Sequence, residues 1–337
     1  MNSIKSTALE PTRSELSGLS FGQKAARYLP VYGLPILTLL LILLFSLLLP
    51  RTFPTLLNLR SIISDKAIIA LLSLAAMIPM ASGRIDLTVG YGIVLWHILA
   101  ISLQTAFGVP WPIAVLIVIL LGVVTGFING LLVEVARIDS FIATLGTGTI
   151  VVGLNYAYSG GIPLQLTQSR EFTRIAIGRI AGVPHLVIIM AVVLILLWVI
   201  LNRTVQGQHI KAIGVSPESA RRAGVAVDRS RIVAFAIAST CAAIGGVLMA
   251  SNLGSGQVTA GDSFMLTSFS AAFLGSAALR EGQFHILGTL IGVLTVAVGN
   301  NGLAMIGAPI FTQFLFTGTL LVVAVALGGI GRRFARG

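Results

Sequence analysis

The chain has 337 residues, of which 56% are hydrophobic and 10% are Asp, Glu, Lys or Arg. Soluble domains carry about 25% charged residues, so this composition excludes a water-soluble globule, a disordered chain and a disulfide-based scaffold. The formal net charge is +11, but the basic residues are scattered over short polar segments and form no stripe suited to nucleic acid. We therefore interpret the chain as an all-α, polytopic integral membrane protein with no nucleic-acid partner.

Ten apolar segments approach the length that a helix needs to cross a bilayer, which is about 20 residues. They lie at 31–50, 67–82, 91–107, 111–133, 141–158, 186–201, 232–252, 264–279, 285–303 and 310–327. We expect a transmembrane domain over 31–327, flanked by an N-terminal tail over 1–30 and a C-terminal tail over 328–337. The segment 264–279 contains Ser and Gly, so it is the segment that we most expect to be re-entrant.

The distribution of Lys and Arg predicts the orientation, because cytoplasmic loops of membrane proteins collect positive charge. With the N-terminus inside, 16 of the 22 basic residues fall on the cytoplasmic side and six fall outside. This ratio predicts that both termini are cytoplasmic. Three of the six outside residues, Arg170, Arg174 and Arg179, lie in the segment 160–184, which is the weakest point of the assignment.

Glycines recur at helical spacing in two of the predicted spans. Gly122, Gly126 and Gly130 share one face of a helix, and Gly288 and Gly292 repeat the pattern 166 residues after Gly122 and Gly126. Small residues four apart let helices approach closely in lipid, so these positions are expected to form packed seams. Adding the same 166 to the residue numbers of three early spans gives numbers close to those of three later spans. An internal repeat, typical of transporters, is one interpretation, and chance similarity between Gly-rich helices is the other.

The sequence contains no motif that predicts catalysis or metal binding. It has no phosphate-binding loop, and its four histidines are scattered. Gly-x-Ser-x-Gly occurs at 18–22, in the polar N-terminal tail, and nowhere as a nucleophile elbow. None of the ten spans contains Asp, Glu, Lys or Arg, which argues against a protonatable relay. We predict a transport protein with no catalytic residues and no metal or cofactor of its own.

The polar residues inside the spans are neutral amides and hydroxyls. Such groups either line a path for a neutral, hydroxyl-rich solute or form hydrogen bonds between helices. The amides that we consider as pathway residues are Asn129, Asn155, Asn300 and Asn301.

The polar segment 203–231 predicts a two-turn helix with matched residues at both ends. An N-cap, a proline at the first helical position and an acid begin it, and two basic residues and a glycine end it. These residues are Ser216, Pro217, Glu218, Arg221, Arg222 and Gly224. The helix is either part of a solvated loop or a docking element on which a separate motor acts.

This segment resembles the ATPase-docking loop of the permease subunits of bacterial ABC importers for monosaccharides, the ribose, arabinose and xylose type. Residues that fit that loop are Asn202, Arg203, Thr204, Gly207, Ala212, Gly214, Ala220, Arg222, Ala223, Gly224 and Val225. The resemblance implies an ATPase-coupling loop whose residues are Gly214, Ser216, Glu218, Ala220, Arg221, Arg222, Ala223 and Gly224.

Two further stretches are similar to motifs of the same family. The first runs from Gly83 to Gly90 and resembles Gly-Gly-x-Asp-Leu-Ser-Val-Gly, with Arg84 in place of the second glycine. The second joins Gly-Thr-Leu-Ile-Gly at 288–292 to Asn-Asn-Gly-Leu at 300–303. We assign Gly83, Asp86 and Gly90 as motif or pathway residues. We expect Asp86 to be structural, capping a helix or pairing with Arg84, and not to bind solute.

A third stretch, 275–284, departs from the family pattern. Ser276, Glu281 and Phe284 stand where glycines are usual, which leaves open a different solute or one half of a heterodimeric pore.

The resemblance implies an ABC importer permease fold and a small neutral solute, a monosaccharide or sugar-like polyol. It also implies three partners: an ATPase chain that uses ATP and Mg, a periplasmic or lipid-anchored binding protein, and a second permease subunit. The location implied is the bacterial inner membrane. A permease for branched-chain amino acids or nucleosides and a self-sufficient secondary carrier remain as alternatives.

Overall fold

The computed structural model describes residues 21–166, 169–258, 261–276 and 283–334. The ten longest helices in these ranges are Phe21–Leu48 (α1), Leu56–Met80 (α2), Thr88–Thr105 (α3), Trp111–Glu134 (α4), Ser140–Ser159 (α5), His185–Arg203 (α7), Val227–Leu253 (α10), Gly261–Ser276 (α11), Ile286–Met305 (α12) and Ile310–Phe334 (α13). The shorter elements are Leu164–Gln165 (β1), Arg170–Ile177 (α6), Arg179–Ile180 (β2), Val183–Pro184 (β3), Val205–Val215 (α8), Pro217–Arg222 (α9) and Ser255–Gly256 (β4).

Each of the ten predicted spans corresponds to one of the long helices, so the all-α, polytopic fold is confirmed. Seven of them are long and apolar enough, by length and composition, to cross a membrane, and the apolar segments of α1, α11 and α13 are shorter. Helix α1 begins at Phe21, ten residues before the predicted span. Residues 1–20 of the predicted N-terminal tail and residues 335–337 of the C-terminal tail lie outside the described residues.

Helices α2, α3 and α10 form the centre of the molecule. Their apolar windows are 67%, 72% and 67% buried, whereas those of α4 and α7 are only 22% buried. The outer helices turn residues such as Leu116, Leu120 and Leu196 outward, as lipid-facing helices do. The core therefore lies where the middle helices pack on one another.

The predicted glycine seams are confirmed. Gly126 of α4 lies directly against the Phe235 carbonyl of α10, and a Cβ atom at Gly122 would lie 2.6 Å from the Cβ of Ala243. Gly292 of α12 lies in the same way against the Ala271 carbonyl of α11. At these positions the missing side chain lets two helices approach closely.

The packing of the helices agrees with the internal repeat, the first of the two interpretations of the glycine pattern. Helix α4 packs on α10, and its counterpart α12 packs on α2, the counterpart of α10. Likewise α3 packs on α5, and α11 packs on α13. The end of α2 and the start of α10 meet, because the Arg231 Nε donates a hydrogen bond of 3.1 Å to the Ser82 carbonyl. These two counterpart helices therefore run in opposite directions, as counterparts do in an inverted repeat.

The connection between α10 and α11 enters the helical body as an extended stretch. Strand β4 pairs with β1, and the Gln257 N–H then donates a hydrogen bond of 2.6 Å to Nε2 of His97 in the middle of α3. Gly261, the first residue of α11, lies beside Val94. Helix α11 thus begins part-way along α3, which explains its short length. Residues 277–282, which include most of the third family-like stretch, lie outside the described residues.

The described residues of the segment 160–184 include α6 and a β2–β3 hairpin, neither of which was predicted from the sequence. Ser169 caps α6 by accepting from the Phe172 N–H at 3.1 Å. Ser251, near the end of α10, donates to the Phe172 carbonyl at 2.6 Å and accepts from the Ala176 N–H at 2.9 Å. We call the end of the molecule that carries α6 and this hairpin the hairpin end.

Candidate functional site

Three polar segments meet at the opposite end of the helical body. They are the α2–α3 turn at 81–87, the α4–α5 connection at 135–139, and the segment 203–231 that contains α8 and α9. We call this the basic end. All six ion pairs found among the described residues lie here.

The predicted two-turn helix is present as α9, and its N-cap is the predicted one. The Ser216 hydroxyl accepts from the Ser219 N–H at 3.2 Å, with proline at the first helical position. Ala220 is buried against Ile213 and Val227. The chain turns after α9 at Gly224, whose φ of +84° is readily adopted by glycine alone.

The other face of α9 is exposed. Glu218 and Arg222 form an ion pair of 3.0 Å along the helix, with side chains 77% and 79% exposed. Arg221 is also 64% exposed. Since Ala220 holds the inner face against α8 and α10, α9 presents a charged surface on a fixed support.

Helix α8 connects this surface to the α2–α3 turn. Gly214 lies so close to the Ala81 carbonyl at the end of α2 that a Cβ atom at position 214 would overlap it. A side chain is therefore excluded there, and the backbone of the segment 203–231 touches the end of α2 directly.

A buried carboxylate, Glu134, lies beneath this contact. Its side chain is fully buried, and its two oxygens pair with the Arg84 Nε at 2.6 Å and with the Arg231 Nη1 at 3.4 Å. A buried charge costs several kcal/mol unless it is paired, so these two guanidinium groups are what allow Glu134 to lie inside. Because Arg231 also donates to the Ser82 carbonyl, the pairs fix the α2–α3 turn to α4 and α10.

A second set of ion pairs joins Glu134 to α9. The Arg137 guanidinium lies 4.0 Å from Glu134 and 2.8 Å from Asp228. Asp228, in the first turn of α10, in turn lies 3.4 Å from Arg221 of α9. The charged side chains of the basic end thus form one connected network.

Asp86 is buried in the α2–α3 turn and caps the start of α3. Its Oδ1 accepts from the Thr88 N–H at 3.0 Å and from the Thr88 hydroxyl, which accepts in turn from Asn129 at 2.9 Å. The bond from the Thr88 N–H is of the kind that the capping interpretation requires, and the N-cap position itself is Leu87. The alternative pairing of Asp86 with Arg84 is wrong, because the Arg84 guanidinium extends to Glu134. Burial raises the pKa of the Asp86 carboxyl to about 6, although the two Thr88 hydrogen bonds lower it.

Helix α5 holds the other side of the turn through two hydroxyl groups. The Ile85 N–H donates to the Ser140 hydroxyl at 3.2 Å, and the Leu87 N–H donates to the Thr144 hydroxyl at 3.0 Å. Sequence reasoning missed both hydroxyls and gave no role to Glu134. One signal for Glu134 was present: an acid at the end of an apolar span, together with an arginine where a related motif has glycine.

The predicted pathway residues do not form one site. Gly83, with a φ of +79°, and Gly90, packed against Met265, flank the α2–α3 turn. Asn129 bonds to Thr88, and the Asn300 amide donates to the Thr317 hydroxyl of α13 at 3.4 Å. For these two amides the structure shows hydrogen bonds between helices. This is the alternative to a role in lining the solute path.

The remaining two amides lie elsewhere. Asn155 is buried on α5, and Asn301 lies on α12.

The family model and three relatives that match this chain are all described as permeases. The family described as "Branched-chain amino acid transport system / permease component" matches residues 58–325. The chain is 33% identical to the ribose import permease of Bacillus subtilis over 87% of this chain and 91% of that protein. It is 30% identical to the fructose import permease of Rhizobium meliloti over 88% of this chain and 84% of that protein.

A third relative is the galactose/methyl galactoside import permease of Haemophilus influenzae, 28% identical over 83% of this chain and 88% of that protein. No solved structure matches the chain significantly.

Proposed function

The chain belongs to the family of permease components of ABC importers, and from this membership we propose that it forms the transmembrane path for a monosaccharide. It is a transport subunit and not an enzyme, since ATP hydrolysis in this family belongs to a separate chain. The names of the ribose, fructose and galactose permeases support a sugar. The family description, which names branched-chain amino acids, is the reason for keeping an amino acid as the second candidate solute.

The observation that carries the proposal is the exposed helix α9 supported on the α2–α3 turn. An ATPase docked on α9 would act on a helix that is buried on one side at Ala220 and charged on the other. A movement of α9 would pass through α8 to the end of α2, at the contact between Gly214 and Ala81. The basic end is then cytoplasmic, where ATP is, and the hairpin end faces the binding protein.

The transport cycle that we propose is the one that family membership implies. With ATP and Mg bound, the two ATPase chains would close on each other and move α9 of each permease subunit. Because α2 and α10 are central and the inverted repeat packs them on α12 and α4, a displacement at the basic end shifts both halves of the chain. Solute released by the binding protein crosses between this chain and a second permease subunit.

The test of α9 uses the reconstituted importer with Arg222→Glu and with Gly224→Leu. The first reverses an exposed charge, and the second places a bulky side chain at a positive φ. Each is expected to reduce ATP-driven uptake by at least about tenfold while membrane insertion stays intact. The control is Arg60→Glu, an exposed arginine at the start of α2, which should leave uptake unchanged. Normal uptake and ATPase coupling in both α9 variants would contradict the role of α9.

The solute is identified through the binding protein, because the neutral residues of the permease carry little specificity. A thermal-shift panel should show stabilisation by a pentose or hexose. Stabilisation by a branched-chain amino acid or a nucleoside alone would replace the sugar by that solute.

The self-sufficient carrier is tested in liposomes that contain this chain alone. We expect no solute uptake without the ATPase and ATP, and concentrative uptake by the chain alone would show a secondary carrier instead.

A further inference from the structure

We propose that Arg137 is a positioning residue that transmits the movement of α9 to the α2–α3 turn. The inference rests on the proposed function, because it takes α9 as the site where the ATPase docks. Arg137 lies in the short α4–α5 connection, outside the loop that resembles the docking segment of the family.

The geometry places Arg137 between two carboxylates from two different helices. Its Nη2 lies 2.8 Å from Oδ2 of Asp228 on α10, and its Nη1 lies 4.0 Å from Oε2 of Glu134 on α4. On one side, Asp228 is paired with Arg221 of α9. On the other side, Glu134 is paired with Arg84 of the α2–α3 turn. Arg137 therefore links the carboxylate that pairs with α9 to the carboxylate that pairs with the α2–α3 turn. It does so alongside Arg231 of α10, which also pairs with Glu134.

The backbone of Arg137 supports a role for its side chain. Its φ is +59°, in the left-handed region that glycine adopts at little cost and other residues adopt rarely. Among the described residues, Ala181 is the only other residue besides glycine with a positive φ. A glycine at position 137 would adopt this φ without the conformational cost that arginine incurs there. Such strain persists where the surrounding structure and its function require that residue.

Arg137 is not what keeps the two carboxylates folded in place. If it is removed, Glu134 keeps Arg84 and Arg231, and Asp228 keeps Arg221. The Arg137 side chain is 62% exposed, and ion pairs at exposed positions contribute little to stability. The bridge is thus weak enough to shift during a transport cycle.

The test is Arg137→Gly in the reconstituted importer, with Ala181→Gly at the hairpin end as the matched control. Both substitutions relieve a positive φ, but only the first removes the bridge. For Arg137→Gly we expect solute transported per ATP hydrolysed to fall at least about tenfold. Copurification of the ATPase should stay at the wild-type level, and the thermal midpoint should not fall. Ala181→Gly should change none of the three.

A second variant, Arg137→Lys, keeps the positive charge at position 137 but changes the contacts with the two carboxylates. Its three N–H donors share one nitrogen, so lysine cannot place two different nitrogens against Glu134 and Asp228 as Arg137 does. The coupling ratio should therefore lie between those of wild type and Arg137→Gly.

Three results would overturn the proposal: an unchanged coupling ratio in Arg137→Gly, loss of the ATPase from that variant, or a lowered thermal midpoint. The second result would make Arg137 a docking residue, and the third would make it structural. If the ATPase fails to copurify with the wild-type chain as well, the proposed function itself is wrong.

Discussion

The two ends of this molecule are held together by different interactions. At the basic end, all six ion pairs among the described residues join helices to turns around Glu134 and Asp228. At the hairpin end, Arg170, Arg174 and Arg179 are exposed and take part in none of those six pairs. There the fold is held by backbone strand pairing and by the Ser251 hydroxyl.

The comparison shows that positive charge at the basic end has two origins. Four arginines of the network, at 84, 137, 221 and 231, surround two carboxylates, which leaves a surplus of two positive charges. Two of the four positive charges are therefore balanced by the two carboxylates. Only the remaining two count as the excess positive charge that marks a cytoplasmic loop. A count of Lys and Arg does not separate structural charges from topological ones.

The largest difference in stability is expected when one carboxylate is neutralised at each end of the molecule. Glu134→Gln leaves Arg231, whose side chain is 9% exposed, without its carboxylate, and should destabilise the protein by about 3–5 kcal/mol. At the hairpin end, Glu171 accepts an exposed hydrogen bond of 3.2 Å from Trp111, and Glu171→Gln should change stability by no more than about 0.5 kcal/mol. Thermal unfolding of the two variants in detergent measures the difference, and equal effects would remove the distinction between the ends.

A smaller effect concerns Asp86, a buried carboxylate of the basic end that takes part in none of the six ion pairs. Burial raises its pKa from 3.8 to about 6, so between these values the folded protein binds the proton more tightly than the unfolded chain. The stabilisation is complete below pH 3.8 and is lost as the pH rises through 6. Two pK units correspond to about 3 kcal/mol.

Asp86→Asn keeps an acceptor for Thr88 and carries no charge. The variant should match wild type near pH 4 and exceed its stability by up to about 3 kcal/mol near pH 7.5. Thermal unfolding across this pH range is the measurement. A stability difference that does not vary with pH would contradict the assignment, and an altered solute preference in a normally folded variant would make Asp86 a solute-binding residue.

Local features of this fold could be predicted from the sequence. The ends of α9 follow from Ser216, Pro217 and Gly224, because caps and turns depend on neighbouring residues. The seam at Gly122 and Gly126 follows from helical periodicity in an apolar segment. Each of these predictions needs residues only a few positions apart.

The centre of the candidate site could not be predicted in this way. Arg84 and Glu134 are 50 residues apart, and Arg231 reaches Glu134 from 97 residues away. These pairs form only once three helices have packed, so no local pattern encodes them. The segment 160–184 was missed for a related reason: α6 is held by Ser251, 75 to 79 residues further along the chain.

The most direct test of the account asks which end binds the ATPase. The chain has a single cysteine, Cys241, which is buried, so Glu218→Cys on α9 and Glu171→Cys on α6 each introduce one exposed thiol. A thiol-to-amine crosslinker applied to the assembled importer should join the ATPase to position 218 and not to position 171. Capture of the ATPase at position 171, or at neither position, would contradict the assignment of the basic end as the docking surface.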